Sequence, residues 1–408
     1  MRKASWLLLT VLPAFVHAQS FEFSVPKIPI RQIEIVAKST EPLGAQVTVR
    51  ALSNGTTLVN DFGRYRVVLF DRDLARFRSV IDSASGGSDI IYSAQLIRYA
   101  ADSTLYVDRA TQSLLVISPQ GKIARVMALP KPRDARFVAS VNFGDPQIDR
   151  TGGLVYRVQY PLQQKGPVAN SNVVMSFPPQ PDSAPILRAD FDTRQVDTIT
   201  TIKVPQPESM TQTRDGAGNQ TMMITINPMG TGDEWAMLSD GTIAIVRVHD
   251  YHIDWIDIDR SRRSTPKMPF DWRPITQEKK QFRLDSLRPI MQKQIDQMPA
   301  RFVETAEGRR MLRTQFEFVP LKELPEFEPP IGPGSVKADL SNHLWILPHT
   351  SASAVGGLLY DVITKQGEIT YRVQFPRGYA LAGFGPGDDI FVLRIEGKTG
   401  FLERAKIH

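Results

Sequence analysis

Short apolar runs, broken by polar and turn-forming residues, recur along most of the chain. Residues 97–130 alone hold four of them: IRYA, TLYVD, SLLVIS and IARVMAL. Runs of this length, rich in Val, Ile, Leu and Tyr and bounded by Gly, Pro or polar clusters, predict strands joined by hairpins. Four in succession make a meander, and a meander with two apolar faces needs further layers to cover both.

The chain supplies those layers as copies. The stretch beginning Leu58-Val59-Asn60-Asp61 matches the one beginning Leu105-Tyr106-Val107-Asp108 without a gap, at an offset of 47. Gly121-Lys122-Ile123 to Pro130 and Gly367-Glu368-Ile369 to Pro376 share one spacing. The second-strand signature returns as Leu154-Val155-Tyr156, Ile243-Ala244-Ile245, Leu344-Trp345-Ile346 and Ile390-Phe391-Val392, making six copies. A period of 40 to 50 residues with four strands per copy predicts a β-propeller, whose radial stacking buries both faces of every blade. The expected fold is therefore all-β, a six-bladed propeller. Its innermost strands are expected at VTVRAL, LIRYA, PQIDR, EWAML, VKADL and LAGF.

The last copy ends one strand short, after a third strand at 400–407. Residues 30–37, IRQIEIVA, precede the first copy without a blade of their own. Placed as the outer strand of the last blade they would close the ring and remove raw sheet edges. Two intervals between signatures are too long for one blade, 89 residues from Leu154 to Ile243 and 101 from Ile243 to Leu344. Residues 161–185 and 205–233, rich in Pro, Gln, Ser, Asn and Gly, read as long loops. The second interval holds a helical insertion, 276–315, before the fifth blade. Leu284, Leu287, Met291, Ile295 and Met298 recur there at helical spacing, with Thr276 and Ser286 as candidate N-caps.

Composition changes this picture in a few places. Residues 1–18 read as a secretory signal, with Arg2 and Lys3, an apolar run 6–16, and Val16-His17-Ala18 as the cleavage site. The domains are then a signal peptide at 1–18 and the propeller at 19–408, with a periplasmic or secreted location. No stretch approaches the length of a membrane span. The net charge of +6 falls to +4 without Arg2 and Lys3, too mild to argue for nucleic acid. The insertion carries nine Lys/Arg against five Asp/Glu, so the excess charge is concentrated there, and Arg309, Arg310 and Arg313 are candidates for docking a partner. With no Cys, disulfides and thiolate metal sites are impossible.

The runs Leu105-Tyr106-Val107-Asp108 and Leu344-Trp345-Ile346, with the shared Gly-x-Ile spacing, resemble NHL-like six-bladed propellers, and in particular exported bacterial propellers of unassigned function. Asp233-Glu234-Trp235, Tyr251-His252-Ile253-Asp254-Trp255 and the closing 380–385 strengthen that resemblance. It implies the fold and an exported location, and it carries over no catalytic residue.

Candidate chemistry is sparse. His249, His252, His343, His349 and His408 all fall off the expected innermost strands, where a channel metal would be held. Asp254, Asp257 and Asp259 lack the glycine turn and terminal Glu of a calcium loop. Residues 383–387, GFGPG, have no helix behind them to cradle a phosphate, and read as a hairpin turn. The surviving constellation is basic: Arg50, Arg98 and Lys337 should face the channel, where they could hold a small anionic ligand or be paired with Asp149 or Asp339. The expected function is a monomeric, non-catalytic scaffold without cofactor or catalytic residue, binding a protein or a small anion. The alternative is a metal-dependent hydrolase or lactonase with its site in the channel.

Overall fold

The structure is a computed structural model that describes all residues except 1–27, 83–94, 110, 161–162, 170, 179–180, 206–208 and 297–311. The expected leader, together with Arg309 and Arg310, lies outside the described residues.

Mostly β structure emerges, arranged as six antiparallel meanders of propeller type and one additional sheet. The first meander runs Val47–Ala51, Thr57–Asp61, Arg66–Phe70, Phe77–Asp82, and the second Leu96–Arg98, Thr104–Asp108, Ser113–Ile117, Ile123–Ala128. The third is Gln147–Ile148, Leu154–Arg157, Ser183–Ala189, Val196–Lys203, and the fourth Glu234–Met237, Ile243–Arg247, His252–Ile256, Arg262–Ser264. The fifth is Ile331–Ala338, Leu344–Pro348, Leu359–Ile363, Ile369–Gln374. The sixth is Tyr379–Phe384, Asp389–Glu396, Thr399–Ile407. Each second strand contains its apolar signature, since both of its faces are covered. Thr57–Asp61 and Thr104–Asp108 are buried at every position.

The core lies between sheets rather than within one, since a strand's two faces meet two neighbours. Leu58 and Val67 of the first pack with Tyr106 and Ile117 of the second. Leu105 and Val107 meet Leu154 and Tyr156 of the third, whose Val155 and Ile186 meet Trp235 and Ile245 of the fourth. Val246 and Trp255 continue to Leu344 and Ile346 of the fifth, and Trp345 and Val362 to Ile390 and Val392 of the sixth. Phe391, Leu393 and Leu402 of the sixth then pack against Val59, Val68 and Phe70 of the first.

The N-terminal segment touches two sheets. Ile30–Arg31 adds to the fifth, parallel to Ile369–Gln374, and Arg31 stacks 4.0 Å over the Tyr371 ring. Ile33–Lys38 then adds antiparallel to Thr399–Ile407 at the outer edge of the sixth. Gln32 and His408 exchange both backbone bonds, at 3.2 and 3.1 Å. Hydrogen-bonded pairs alternate along an antiparallel ladder, so Ile33 sits opposite Ile407 in a non-bonded pair and its N–H points away from that neighbour.

The seventh sheet corrects the expectation of long loops. Val173–Phe177, from inside the third meander, pairs with Ser209–Arg214. That strand turns through 215–219 into Gln220–Ile226, which pairs in parallel with Leu312–Phe318. Three separate insertions thus assemble one accessory sheet. Within the expected helical insertion, the helix Gln277–Asp296 runs continuously through Pro289, while the last residues belong instead to the edge strand Leu312–Phe318, where Arg313 lies exposed. Thr276 Oγ accepts from the Lys279 N–H at 3.3 Å as a cap, whereas Ser286 donates back to the Phe282 carbonyl at 2.8 Å. Met291 packs onto Ile224, Ile226 and Phe318, and Arg288 lies 5.1 Å over the Phe318 ring. The buried Lys280 ammonium donates to the carbonyls of Leu321 and Leu324 at 3.3 and 3.1 Å, tying the helix to the segment that enters the fifth sheet.

Candidate functional site

Two cavities flank the inner strands of the third, fourth and fifth sheets. The larger is a cleft of about 1540 Å³ between these sheets and the accessory sheet with its helix. The smaller, about 640 Å³, is a channel bordered by the first strands of all six meanders. Glu234 and Ile331, where the fourth and fifth inner strands begin, line the cleft, while Met237 and Lys337 further along the same strands border the channel.

The loop 141–145 forms one wall of the cleft. The Trp235 indole donates to the Phe143 carbonyl at 3.0 Å. Gly144 sits at φ +86°, and a Cβ there would lie 2.4 Å from that indole nitrogen, so only glycine lets the loop close. Arg157 ends its strand beneath this loop, donating to the Asn142 carbonyl at 2.7 Å with its guanidinium 4.9 Å over the Phe143 ring. Its Nε is buried without a hydrogen-bond partner among the described residues. Burial lowers the Arg157 pKa, and the nearby Glu234 opposes the shift.

Glu234 is the most perturbed acid of the cleft. Burial pushes its carboxyl up to about 7, against the Gly334 N–H and the charges of Arg157 and Lys337, and Asp145 adds to the rise. Gly334 donates to its Oε2 at 2.9 Å. Arg109, Arg136 and Arg283 also line the cleft, together with Phe143, Met210, Met229, Tyr160 and Phe282. Of the cleft's other acids, Asp233 is paired with Arg247 at 2.7 Å, and Glu328 receives Lys279 and Arg283 at 2.8 and 2.6 Å. The arrangement combines a proton-carrying carboxyl, a half-buried guanidinium and apolar walls.

In the channel, the structure brings together Arg50, Arg98 and Lys337. Lys337 is answered by Asp145 at 2.7 Å, not by Asp339, and Asp145 also accepts from Gln95 at 2.8 Å. Arg50 pairs with Asp102 at 2.9 Å, while Asp149 is taken by Arg188 at 2.6 Å outside the channel. Asp339 accepts from His343 at 2.9 Å and from the Trp345 indole at 3.1 Å. Both channel carboxylates therefore already have protein donors, and the cation beside Asp145 is an ammonium. These residues do not form the donor set of a divalent metal. Among the described residues no three His, Asp or Glu side chains converge on one point, and Asp254, Asp257 and Asp259 go separately to Arg247, Thr242 and Ser261. No helix among the described residues is long and apolar enough to cross a membrane.

Sequence reasoning passed over Glu234 and Arg157 as site residues. Glu234 opens an inner strand directly after Asp233, a polar pair where the other inner strands begin with apolar or neutral residues. That is the signal that could have marked it.

No family model matches the sequence, and no curated protein does. Among solved structures, virginiamycin B lyase from Staphylococcus aureus aligns with 92% of this chain and 99% of its own at 10% identity, with a TM-score of 0.39. A gluconolactonase from Xanthomonas campestris covers 94% of this chain and 97% of its own at 11% identity and TM-score 0.41. Regucalcin from Agrobacterium tumefaciens, a calcium-binding protein, covers 93% and 96% at 11% identity and TM-score 0.37. Likenesses of this degree assign neither activity nor residues.

Proposed function

We propose that the chain is an exported six-bladed propeller, its ring completed by Ile33–Lys38 on the sixth blade, that binds an acidic organic ligand in the cleft and exchanges a proton with it through Glu234. The observation that carries this reading is the Glu234 carboxyl, pushed up to about 7 near the half-buried Arg157 at the edge of a cleft with aromatic and methionine walls. A carboxyl with a pKa near neutrality can both give and take a proton at working pH, the property of a general acid or base. Below that pKa it is neutral and leaves Arg157 without a counter-charge, a place for the ligand's own acid group. The apolar walls suit an organic body rather than a bare ion.

This favours an enzyme over the non-catalytic scaffold, with hydrolysis of a lactone or ester of an organic acid as the reaction class, but in the cleft and with a protein carboxyl where the alternative read from the sequence has a metal in the channel. The purified chain lacking residues 1–18 should hydrolyse members of a lactone and ester panel with a pH–rate limb near 7. Glu234→Gln should lower the rate by about 10²–10⁴-fold. Turnover that is untouched by Glu234→Gln, or binding of cleft ligands without turnover of any panel member, would return the protein to the scaffold reading.

A further inference from the structure

The channel carries a pair of guanidiniums that the cleft does not use. Arg50 stands on the innermost strand of the first sheet, only 5% exposed. Its Nη2 is paired with Asp102 at 2.9 Å, and its Nη1 donates to the Asp102 carbonyl at 3.2 Å. Asp102 is also held by the Ser53 N–H and hydroxyl at 2.7 and 2.8 Å. Ala101 and Asp102 both adopt left-handed backbone, at φ +52° and +57°, a strained pair that the surrounding bonds keep in place. The clamp fixes one guanidinium firmly at the channel wall.

Arg98, on the innermost strand of the second sheet, borders the same cavity. It has no hydrogen bond or ion pair among the described residues, and its side chain is exposed to the channel. Burial, with the Arg98 charge behind it, brings Arg50 down to about 10 against the pull of Asp102. Asp102 feels the charges of both arginines. Two guanidinium charges therefore act on Asp102, and only Arg50 is paired with it, whereas Lys337 across the channel is paired with Asp145. Low-dielectric walls strengthen the field of the Arg98 guanidinium in the cavity.

We propose that the channel holds a second site, distinct from the cleft, in which the Arg98 guanidinium, with Arg50 behind it, binds an oxyanion: a carboxylate or phosphate group. Asp102 is a positioning residue that presets Arg50. A channel of about 640 Å³ accepts a compact organic acid or phosphate compound and excludes a polymer. The site does not depend on Glu234 or on any reaction in the cleft.

Isothermal titration of the chain lacking residues 1–18 with inorganic phosphate and, separately, with succinate at low ionic strength tests this, because added salt screens such contacts. Binding of either probe is expected, and comparison of the two reports whether the site prefers phosphate or carboxylate. Arg98→Gln should weaken it at least tenfold with an unchanged melting temperature. Arg157→Gln, in the cleft, should leave it unchanged. Equal affinity in wild type and Arg98→Gln would overturn the proposal. So would a loss produced by Arg157→Gln instead, or no heat from either probe at millimolar concentration. Failure of the Glu234 reading would leave all of these outcomes unaffected.

Discussion

The six meanders and the accessory sheet are built and buried in opposite ways. Each meander takes its strands from successive segments of chain, interrupted in the third by the insertion that holds Val173–Phe177, and its second strand is sealed between neighbours. Leu105, Leu154 and Leu344 are fully buried. The accessory sheet draws on three distant segments, and Val173–Phe177 and Ser209–Arg214 are half-buried along nearly their whole length. The first is a structural frame that repetition makes robust. The second is a wall whose main consequence is the cleft beneath it. A succession of stacked repeats holds its strands in place from both sides, while an assembly of insertions is held mainly by one helix and a few polar anchors such as Lys280 and Glu328.

The sharpest way to break this comparison is to truncate one buried aliphatic side chain in each part. Leu105→Ala should cost about 2–5 kcal/mol and lower the main unfolding transition in calorimetry. Ile224→Ala, equally buried in the accessory sheet, should leave that transition nearly in place and instead raise hydrogen exchange in 209–226. Equal shifts of the main transition would mean that the two parts unfold as one unit.

Proline at the N-terminal strand comes next. Glu34 lies opposite Lys406 in a bonded pair by the alternation from Gln32, so Glu34→Pro should lower stability by about 2–4 kcal/mol in chemical denaturation. Ile33→Pro, whose N–H points away from the sixth sheet, should cost less. The opposite order would contradict the register.

The cleft supplies a pH-dependent test. Because burial raises Glu234 above its ordinary value, the folded state retains a proton that the unfolded chain releases from about pH 4.5. The stabilisation is complete below that pH and fades as pH rises through about 7. It amounts to something on the order of 2–3 kcal/mol. Glu234→Gln should flatten this part of the stability profile. A slope that is the same in both proteins would place the titration elsewhere.

The smallest effect is expected at the basic edge. Arg313 is exposed on the outer strand of the accessory sheet, so Arg313→Gln should change stability by no more than about 0.5 kcal/mol. A loss of several degrees in melting temperature would show that this edge is packed.

These contrasts also explain what could be read from the chain. The strand Leu105-Tyr106-Val107 announces itself because its apolar run is short, bounded and repeated, and its partners follow within a few dozen residues. Gln220–Ile226 carries the alternation of a half-buried strand, and the turn before it holds Asp215 and Gly218, but its neighbour Leu312–Phe318 lies far along the sequence. Thr, Gln and Ser in these strands read as loop because one face meets solvent. The basic channel residues were visible from their register in the repeat. Glu234 was not, because its shift comes from burial, helped by Asp145 and opposed by Arg157 and Lys337, groups gathered from other strands and loops.

The most direct measurement is the titration of the Glu234 carboxyl itself, followed by carbon NMR on protein labelled at glutamate and assigned by its loss in Glu234→Gln. A midpoint near 7 is predicted. A midpoint at the ordinary value, near 4.5, would mean that the carboxyl is solvated and ionised, and that the cleft holds no group able to exchange a proton at neutral pH.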